Sequence, residues 1–83
     1  MFSKKLFGQR INQARKQRKE TQAQLGALLG VSNAQISDME AGKKTTTVEN
    51  VALICRHYGV SADYLLGLTD DPTPPGAAEE EKP

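Results

Sequence analysis

The chain has 83 residues, a formal net charge of +1, one cysteine and one histidine, and 37% of its residues are hydrophobic. This length supports one small domain with a modest core. No run approaches the roughly 18 apolar residues of a membrane-spanning helix, and no signal-peptide pattern opens the sequence. The composition and motifs argue against an enzyme, a metal site or a cofactor, because a second cysteine, a second histidine, a glycine-rich phosphate loop and a nucleophile elbow are all missing. We expect a cytoplasmic protein without membrane association.

Apolar residues at helical spacing predict an all-α chain of five helices. The first helix is expected from about Ser3 to Arg18. Its buried stripe is Phe7, Ile11 and Ala14, which repeat at i, i+4 and i+7.

The segment TQAQLGALLGVSNAQISDMEAG, residues 21–42, predicts two short helices joined by a tight turn. We place them near residues 21–29 and 32–41, each opened by a capping box, Thr21 with Gln24 and Ser32 with Gln35. Gly30 supplies the positive φ of the turn. The apolar stripes are Leu25, Leu28 and Leu29 on one helix and Ile36 and Met39 on the other. Such a pair places one helix in the major groove of DNA while the other crosses the backbone.

Two further helices are predicted after the loop GKKTTT. Helix four begins at Thr46 or Thr47, because Thr46 with Glu49 fits a capping box, and it ends at Gly59. Its apolar stripe is Val48, Val51, Ala52, Cys55 and Tyr58. His57 is expected to be an ordinary exposed side chain. A short fifth helix carries the large apolar residues Tyr64, Leu65, Leu66 and Leu68.

Charge is divided unevenly along the chain. Residues 1–69 carry a net charge of +5 and residues 70–83 a net charge of −4. The basic range is typical of a polyanion-binding domain, although a local charge bias is also common in small domains of other functions. The acidic range, DDPTPPGAAEEEKP, contains several prolines and no large apolar residue, so we predict a disordered tail at 70–83 after a domain at 1–69.

The residues TQAQLGALLGVSNAQISDMEAGK, followed by YGVSADYLLG, resemble the lambda repressor and Cro (Xre-type) helix-turn-helix family over roughly residues 6–67. The resemblance implies a compact five-helix domain that binds operator DNA at the bacterial nucleoid, usually as a symmetric dimer, and regulates transcription. Lys19 and Glu20 replace a glycine and an apolar residue of the family pattern, which predicts a less well closed end of helix one. Gly26 replaces the commoner alanine, at a cost of about 1 kcal/mol in helix propensity.

The outward side of the third helix carries the candidate base contacts Asn33, Ala34, Gln35, Ser37 and Asp38. Asn33 lies near the helix start and can pair with adenine, while Ser37 suits several bases. The Ala34 methyl fits a thymine methyl. Asp38 either accepts from a cytosine amino group or lies at the groove rim, and Gln35 either reaches a base or turns back into the capping box.

Phosphate contacts are expected from Gln22, Lys43, Lys44 and Thr45. Gln22 begins helix two, where backbone amides and the helix dipole favour an anion, and in the resembling family a glutamine here grips the DNA backbone. The loop residues follow the third helix and reach neighbouring phosphates, although a lysine pair also serves plain solubility. Basic residues of helix one, such as Arg10, either add longer-range attraction or form a solvated face.

The resemblance assigns Arg15 and Glu40 to a structural ion pair that ties helix one to helix three. One recognition helix reads only a few base pairs, which favours a homodimer on palindromic DNA with the two helices about 34 Å apart. We expect Leu66 and Leu68 in the dimer interface, whereas Leu65 closes the core.

A second functional class remains open, an antitoxin-type module whose DNA binding is coupled to a protein partner held by the tail. The acidic segment 70–83 either binds such a partner or only keeps the protein in solution. It carries no amphipathic pattern, which favours the transcriptional repressor.

Overall fold

The computed structural model describes residues 2–74, and residues 75–83 of the predicted tail lie outside this range. The described residues form five α-helices and no β-strand. The helices are α1 Lys4–Gln17, α2 Gln22–Leu29, α3 Asn33–Glu40, α4 Val48–Tyr58 and α5 Ala62–Leu66. The expectation of an all-α, five-helix fold is confirmed. None of these helices has the length and apolar character needed to span a bilayer.

Side-chain caps fix where α2 and α3 begin. The hydroxyls of Thr21 and Ser32 each accept a hydrogen bond from the backbone N–H three residues later. In return, the side-chain oxygens of Gln24 and Gln35 accept from the backbone N–H of the capping residue at 2.7 and 2.8 Å. Both predicted capping boxes are confirmed. Gly30 ends α2 with a φ of 72°, the left-handed conformation that the turn requires.

Helix α4 begins after Thr47, the second of the two predicted positions. Thr47 is the capping residue, since its hydroxyl accepts from the backbone N–H of Asn50 at 3.1 Å. Thr46 instead accepts from the Asn50 side chain at 2.9 Å. The predicted capping box of Thr46 with Glu49 is therefore wrong.

All five helices contribute to one core. Its buried hydrophobic residues are Phe7, Ile11, Leu25, Leu29, Ile36, Met39, Ile54, Tyr58 and Leu65. Helix α1 packs against α3, α4 and α5, while α2 packs against α3. Helix α1 therefore supports the α2–α3 pair through its packing against α3.

Three predicted stripe positions are wrong, because each helix turns only one side to this core. Leu28 is 40% exposed, since α2 is buried through Leu25 and Leu29. Val48 is 82% exposed and Ala52 is also exposed. Helix α4 is buried instead at Ile54, a position that the predicted stripe omitted.

Gly26 lies where α2 meets the chain that leads into α3. A Cβ atom at this position would lie 2.7 Å from the backbone oxygen of Val31. The backbone oxygen of Gly26 also accepts from the Val31 N–H at 2.9 Å. This close approach offsets the helix-propensity cost of the glycine, since an alanine would force the two segments apart.

The end of α1 is closed by polar contacts, so the expectation of a loosely closed end is wrong. Lys19 adopts a φ of 54°, the conformation that a glycine takes without steric cost. The Glu20 carboxylate binds the Tyr58 hydroxyl and, at 2.6 Å, His57 Nε2. Burial raises the pKa of the Glu20 carboxyl, but these hydrogen bonds outweigh burial and hold it below its ordinary value. His57 is half-buried, which corrects the expectation of an ordinary exposed side chain.

The first residues of the predicted tail lie against the folded body. The backbone N–H of Ser61 donates to the Pro72 oxygen at 2.9 Å. Arg10 is only 9% exposed and donates to the Thr69 backbone oxygen at 2.8 Å and to the Asp70 carboxylate at 2.7 Å. Arg10 is thus an anchor for the chain that follows α5, which corrects its interpretation as a source of long-range attraction. The domain boundary at 69/70 and the disorder of the tail remain predictions.

Candidate nucleic-acid interface

Helix α3 has one side in the core and the other in solvent. Ile36 is 0% exposed and Met39 is 2% exposed. Asn33, Ala34 and Ser37 are all exposed. The structure therefore brings these three candidate base contacts together on a rigidly anchored two-turn helix.

The two candidates with alternative interpretations differ in their surroundings. Gln35 is exposed, but its side-chain oxygen is engaged by the backbone N–H of Ser32 at 2.8 Å. Asp38 is half-buried. Base contact by Gln35 would therefore require it to release the capping box.

The loop after α3 carries the candidate phosphate contacts Lys43, Lys44 and Thr45, and all three are exposed. The Lys43 N–H donates to the Asp38 backbone oxygen at 2.9 Å, which ties the loop to the end of α3. Gly42 has a φ of 80°, and a Cβ there would lie 2.9 Å from Lys5 Cα. The backbone of the loop is thus held against both α1 and α3, so Lys43 and Lys44 directly follow the end of α3 in a fixed segment.

Arg15 and Glu40 form a bidentate ion pair between α1 and α3. Arg15 Nε lies 2.6 Å from Glu40 Oε2, and Arg15 Nη2 lies 3.0 Å from Oε1. The side chains are only 11% and 5% exposed. Hydrogen bonding to Glu40 raises the pKa of the Arg15 guanidinium. Burial raises the pKa of the Glu40 carboxyl, but its hydrogen bonds outweigh burial and hold that pKa below its ordinary value.

Asn12 is a member of this cluster that the sequence reasoning missed. Its side-chain nitrogen donates to Glu40 Oε1 at 2.8 Å. The available signal was its spacing, because Asn12 precedes Arg15 by three residues and so shares its side of α1. A polar residue one turn from a buried ion pair is a natural further donor to it.

Gln22 stands at the first position of α2 and is half-buried. Its side-chain nitrogen donates to Glu40 Oε1 at 3.1 Å. The Thr21 cap engages the backbone N–H of Gln24, and within residues 2–74 no acceptor is recorded for the backbone N–H of Gln22 or Ala23. The start of α2 therefore offers unused backbone donors beside the Gln22 amide.

The two candidate dimer residues follow one another closely at the end of α5, and one of them lines an apolar groove. Leu65 is buried at 1% exposure, as expected, whereas Leu66 is half-buried and Leu68 is 69% exposed. A groove of about 230 Å³ adjoins Leu66 and is also lined by Phe2, Val48 and Val51. The strongly exposed Val48, which the sequence pattern placed on the apolar stripe of helix four, thus lines this groove.

Comparison with known proteins agrees with this geometry. A family model described as helix-turn-helix matches residues 11–65. The chain is 39% identical over 69 residues to the uncharacterized HTH-type transcriptional regulator YobD of Bacillus subtilis (strain 168), an alignment that covers 83% of this chain and 62% of YobD. It is 41% identical over 61 residues to repressor protein C2 of Salmonella phage P22, covering 74% of this chain and 28% of C2. The chain thus spans less than two thirds of the length of either relative.

The fold is also similar to solved structures. The P22 c2 repressor protein in complex with synthetic operator 9T matches with a TM-score of 0.67 and 40% identity, over 72% of this chain and 91% of that chain. Hydroxypropylphosphonic acid epoxidase from S. wedmorenis matches with a TM-score of 0.69 and 24% identity, over 78% of this chain and 35% of that chain, a likeness of fold alone. The sequence matches and the placement of the helix-turn-helix pair show that the chain belongs to the lambda repressor-like helix-turn-helix family.

Proposed function

We propose that the chain is a sequence-specific DNA-binding regulator of transcription, acting as a repressor, that inserts α3 into the major groove of operator DNA. The observation that carries this proposal is the geometry of α3. Its side with Asn33, Ala34 and Ser37 is exposed, while Ile36 and Met39 fix its other side in the core. A helix that is anchored in this way and ends in an exposed basic loop suits the groove between two phosphate backbones. The P22 c2 repressor, solved with an operator, supports the assignment by relationship.

The chemistry of the exposed side indicates how the bases are read. Asn33 offers a donor and an acceptor that match adenine, and the Ala34 methyl suits a thymine methyl. Ser37 adds one adaptable hydroxyl. Because these side chains are short, we expect bridging waters and DNA shape to contribute much of the sequence preference.

The test compares Asn33→Ala with Gln13→Ala, an exposed polar residue on α1 beside Pro72–Pro74. An operator is first selected from random duplexes, and binding to it and to a random duplex is then measured. We expect Asn33→Ala to cost roughly 1–3 kcal/mol on the operator and little on random DNA, with no effect of Gln13→Ala. Equal losses on both duplexes would show that Asn33 contacts the DNA backbone and does not contact a base.

We further propose that two copies of the chain pair through an apolar surface made of Leu66, Leu68 and Val48, and that the pair reads a palindromic operator. Within residues 2–74, Leu68 and Val48 are the most exposed large apolar side chains, at 69% and 82%. The groove that Val48 and Phe2 line also adjoins Leu66. Pairing covers this apolar surface and doubles the number of bases read.

Sedimentation with and without operator tests the dimer. We expect Val48→Asp and Leu68→Asp to abolish self-association and to weaken operator binding, since each places a charge in an apolar contact. Leu53→Asp is the matched control, because Leu53 is also exposed, at 36%, but does not line the groove. If the first two variants still bind a palindrome two to one with unchanged affinity, the interface lies elsewhere.

We propose no enzymatic activity, because the relatives that match in sequence are named as regulators and the likeness to the epoxidase is one of fold alone. The antitoxin-type alternative, in which residues 70–83 hold a protein partner, stays a prediction that no contact of the described residues favours. As a regulator of this kind, the protein would act at the nucleoid in the bacterial cytoplasm.

A further inference from the structure

The Glu40 carboxylate is the meeting point of three helices. It ends α3 and accepts hydrogen bonds from Asn12 and Arg15 of α1 and from Gln22 of α2, over distances of 2.6–3.1 Å. A carboxylate offers about four acceptor positions. Asn12, Gln22 and Arg15 Nη2 all donate to Oε1, whereas among the described residues Oε2 accepts from Arg15 Nε alone. The Glu40 side chain is only 5% exposed. Both oxygens of this buried carboxylate therefore have protein donors, and Oε1 is where the three helices meet.

Only one of the two N–H groups of the Gln22 side-chain amide is engaged by Glu40. Its nitrogen carries two N–H groups, and among the described residues it donates only to Glu40. Gln22 is partly exposed at the first position of α2, next to its own backbone N–H, for which no acceptor is recorded in residues 2–74. The hydrogen bond to Glu40 thus fixes the direction of one N–H of the Gln22 side chain. Because the amide group is planar, the direction of its second N–H is fixed as well.

The balance of charge allows an anion to approach here despite the carboxylate. Arg15 neutralises Glu40 at 2.6 Å through a bidentate pair. Asn12 and Gln22 add donors without adding charge. A phosphate at the start of α2 would therefore meet N–H groups and the positive end of the helix dipole rather than an uncompensated carboxylate.

We propose that Glu40 orients the Gln22 amide toward a DNA phosphate, and that Asn12 is a positioning residue that holds Glu40 in place for this task. The phosphate contact of α2 and the carboxyl end of the recognition helix α3 then move as one unit. This inference rests on the proposed function, because it assumes that Gln22 meets the DNA backbone. It adds Asn12, which touches no DNA in this scheme, to the residues that determine affinity.

A double-mutant cycle on a random-sequence duplex tests the proposal, since phosphate contacts are independent of sequence. We expect Gln22→Ala to weaken binding about tenfold, the effect of one hydrogen bond to a charged group. Asn12→Ala should weaken binding about threefold in the Gln22 background and leave it unchanged in the Gln22→Ala background. Gln13→Ala, on the same helix, should change neither. Circular dichroism confirms that each variant is folded, and Asn12→Ser replaces any Asn12→Ala protein that is not.

The outcomes separate this inference from the proposed function. If the wild-type protein does not bind the duplex at low salt, the proposed function fails and the inference fails with it. If the wild type binds but Gln22→Ala has no effect, or if the losses from Asn12→Ala and Gln22→Ala are additive, the inference is overturned while DNA binding stands. A second readout is the Gln22 side-chain amide in nitrogen-15 NMR spectra, identified by its loss in Gln22→Ala. Its signals should move in Asn12→Ala and stay in place in Gln13→Ala, and unchanged signals in Asn12→Ala would also contradict the proposal.

Discussion

Replacing Arg15 by methionine leaves Glu40 buried without its cation. The Glu40 side chain is 5% exposed and would lose two of its four hydrogen bonds, those from Arg15 Nε and Nη2. The backbone oxygen of Glu20 would also lose its partner at 2.7 Å. Stranding a buried charge in this way typically costs about 3–5 kcal/mol. At about 0.05–0.15 kcal/mol per residue, a chain of this size has a total stability of about 4–12 kcal/mol. We therefore expect Arg15→Met to remove a large part of the free energy of unfolding.

Urea unfolding at neutral pH, followed by far-ultraviolet circular dichroism, measures this loss. Arg15→Met combined with Glu40→Met should recover most of it, because no charge is then buried, with about 1 kcal/mol still missing since Asn12 and Gln22 lose their acceptor. Arg56→Met, at an exposed position, is the control and should change stability by less than about 0.5 kcal/mol. A loss below about 1 kcal/mol for Arg15→Met, or a double variant no more stable than the single one, would refute the reasoning that the pair is buried and mutually dependent.

Three further predictions concern charge and backbone conformation. Replacing both Lys43 and Lys44 by alanine should lower the steepness of the plot of log affinity against log salt concentration by about 2 on any duplex, whereas Arg56→Ala should leave it unchanged. An unchanged slope in the double variant would mean that the two lysines are solvated and do not contact phosphates. Lys19→Gly should raise the free energy of unfolding by about 0.5–1 kcal/mol in thermal melts, because the φ of 54° strains a side chain but not a glycine, and a loss would show that Lys19 makes stabilising contacts. Because the folded-state pKa of Glu40 is lowered, its stabilising contribution is complete above the ordinary carboxyl pKa and is lost as the pH falls through the lowered value. Glu40→Gln should therefore lose less stability than the wild type between neutral pH and acid, and parallel curves would contradict this assignment.

Local rules were enough to predict the helices and their order. The capping boxes at Thr21 and Ser32 depend on residues three apart, so they are written in the sequence itself. The positive φ at Gly30 follows in the same way from the absence of a side chain. The exposed side of α3 with Asn33 followed from helical spacing, once Ile36 and Met39 were assigned to the core.

Where a helix carries apolar residues on more than one side, helical spacing alone did not determine which side is buried. On α4 both Val48 and Ile54 are apolar, and only packing against α1 and α5 decides that Ile54 is at 0% exposure while Val48 is at 82%. The same holds for Leu28 on α2, where α3 covers Leu25 and Leu29 instead.

The sequence by itself determined the five helices, the capping boxes of α2 and α3 and the outward side of α3, because these depend on contacts within a few residues. Only the tertiary structure decided which distant polar groups meet. Glu20 finds His57 and Tyr58, and Asn12 and Gln22 converge on Glu40, across separations of 18–38 residues. Helical spacing places Asn12 on the same side of α1 as Arg15, but it does not identify the partner across the core, since a buried polar group must find its partner wherever the packed helices place one.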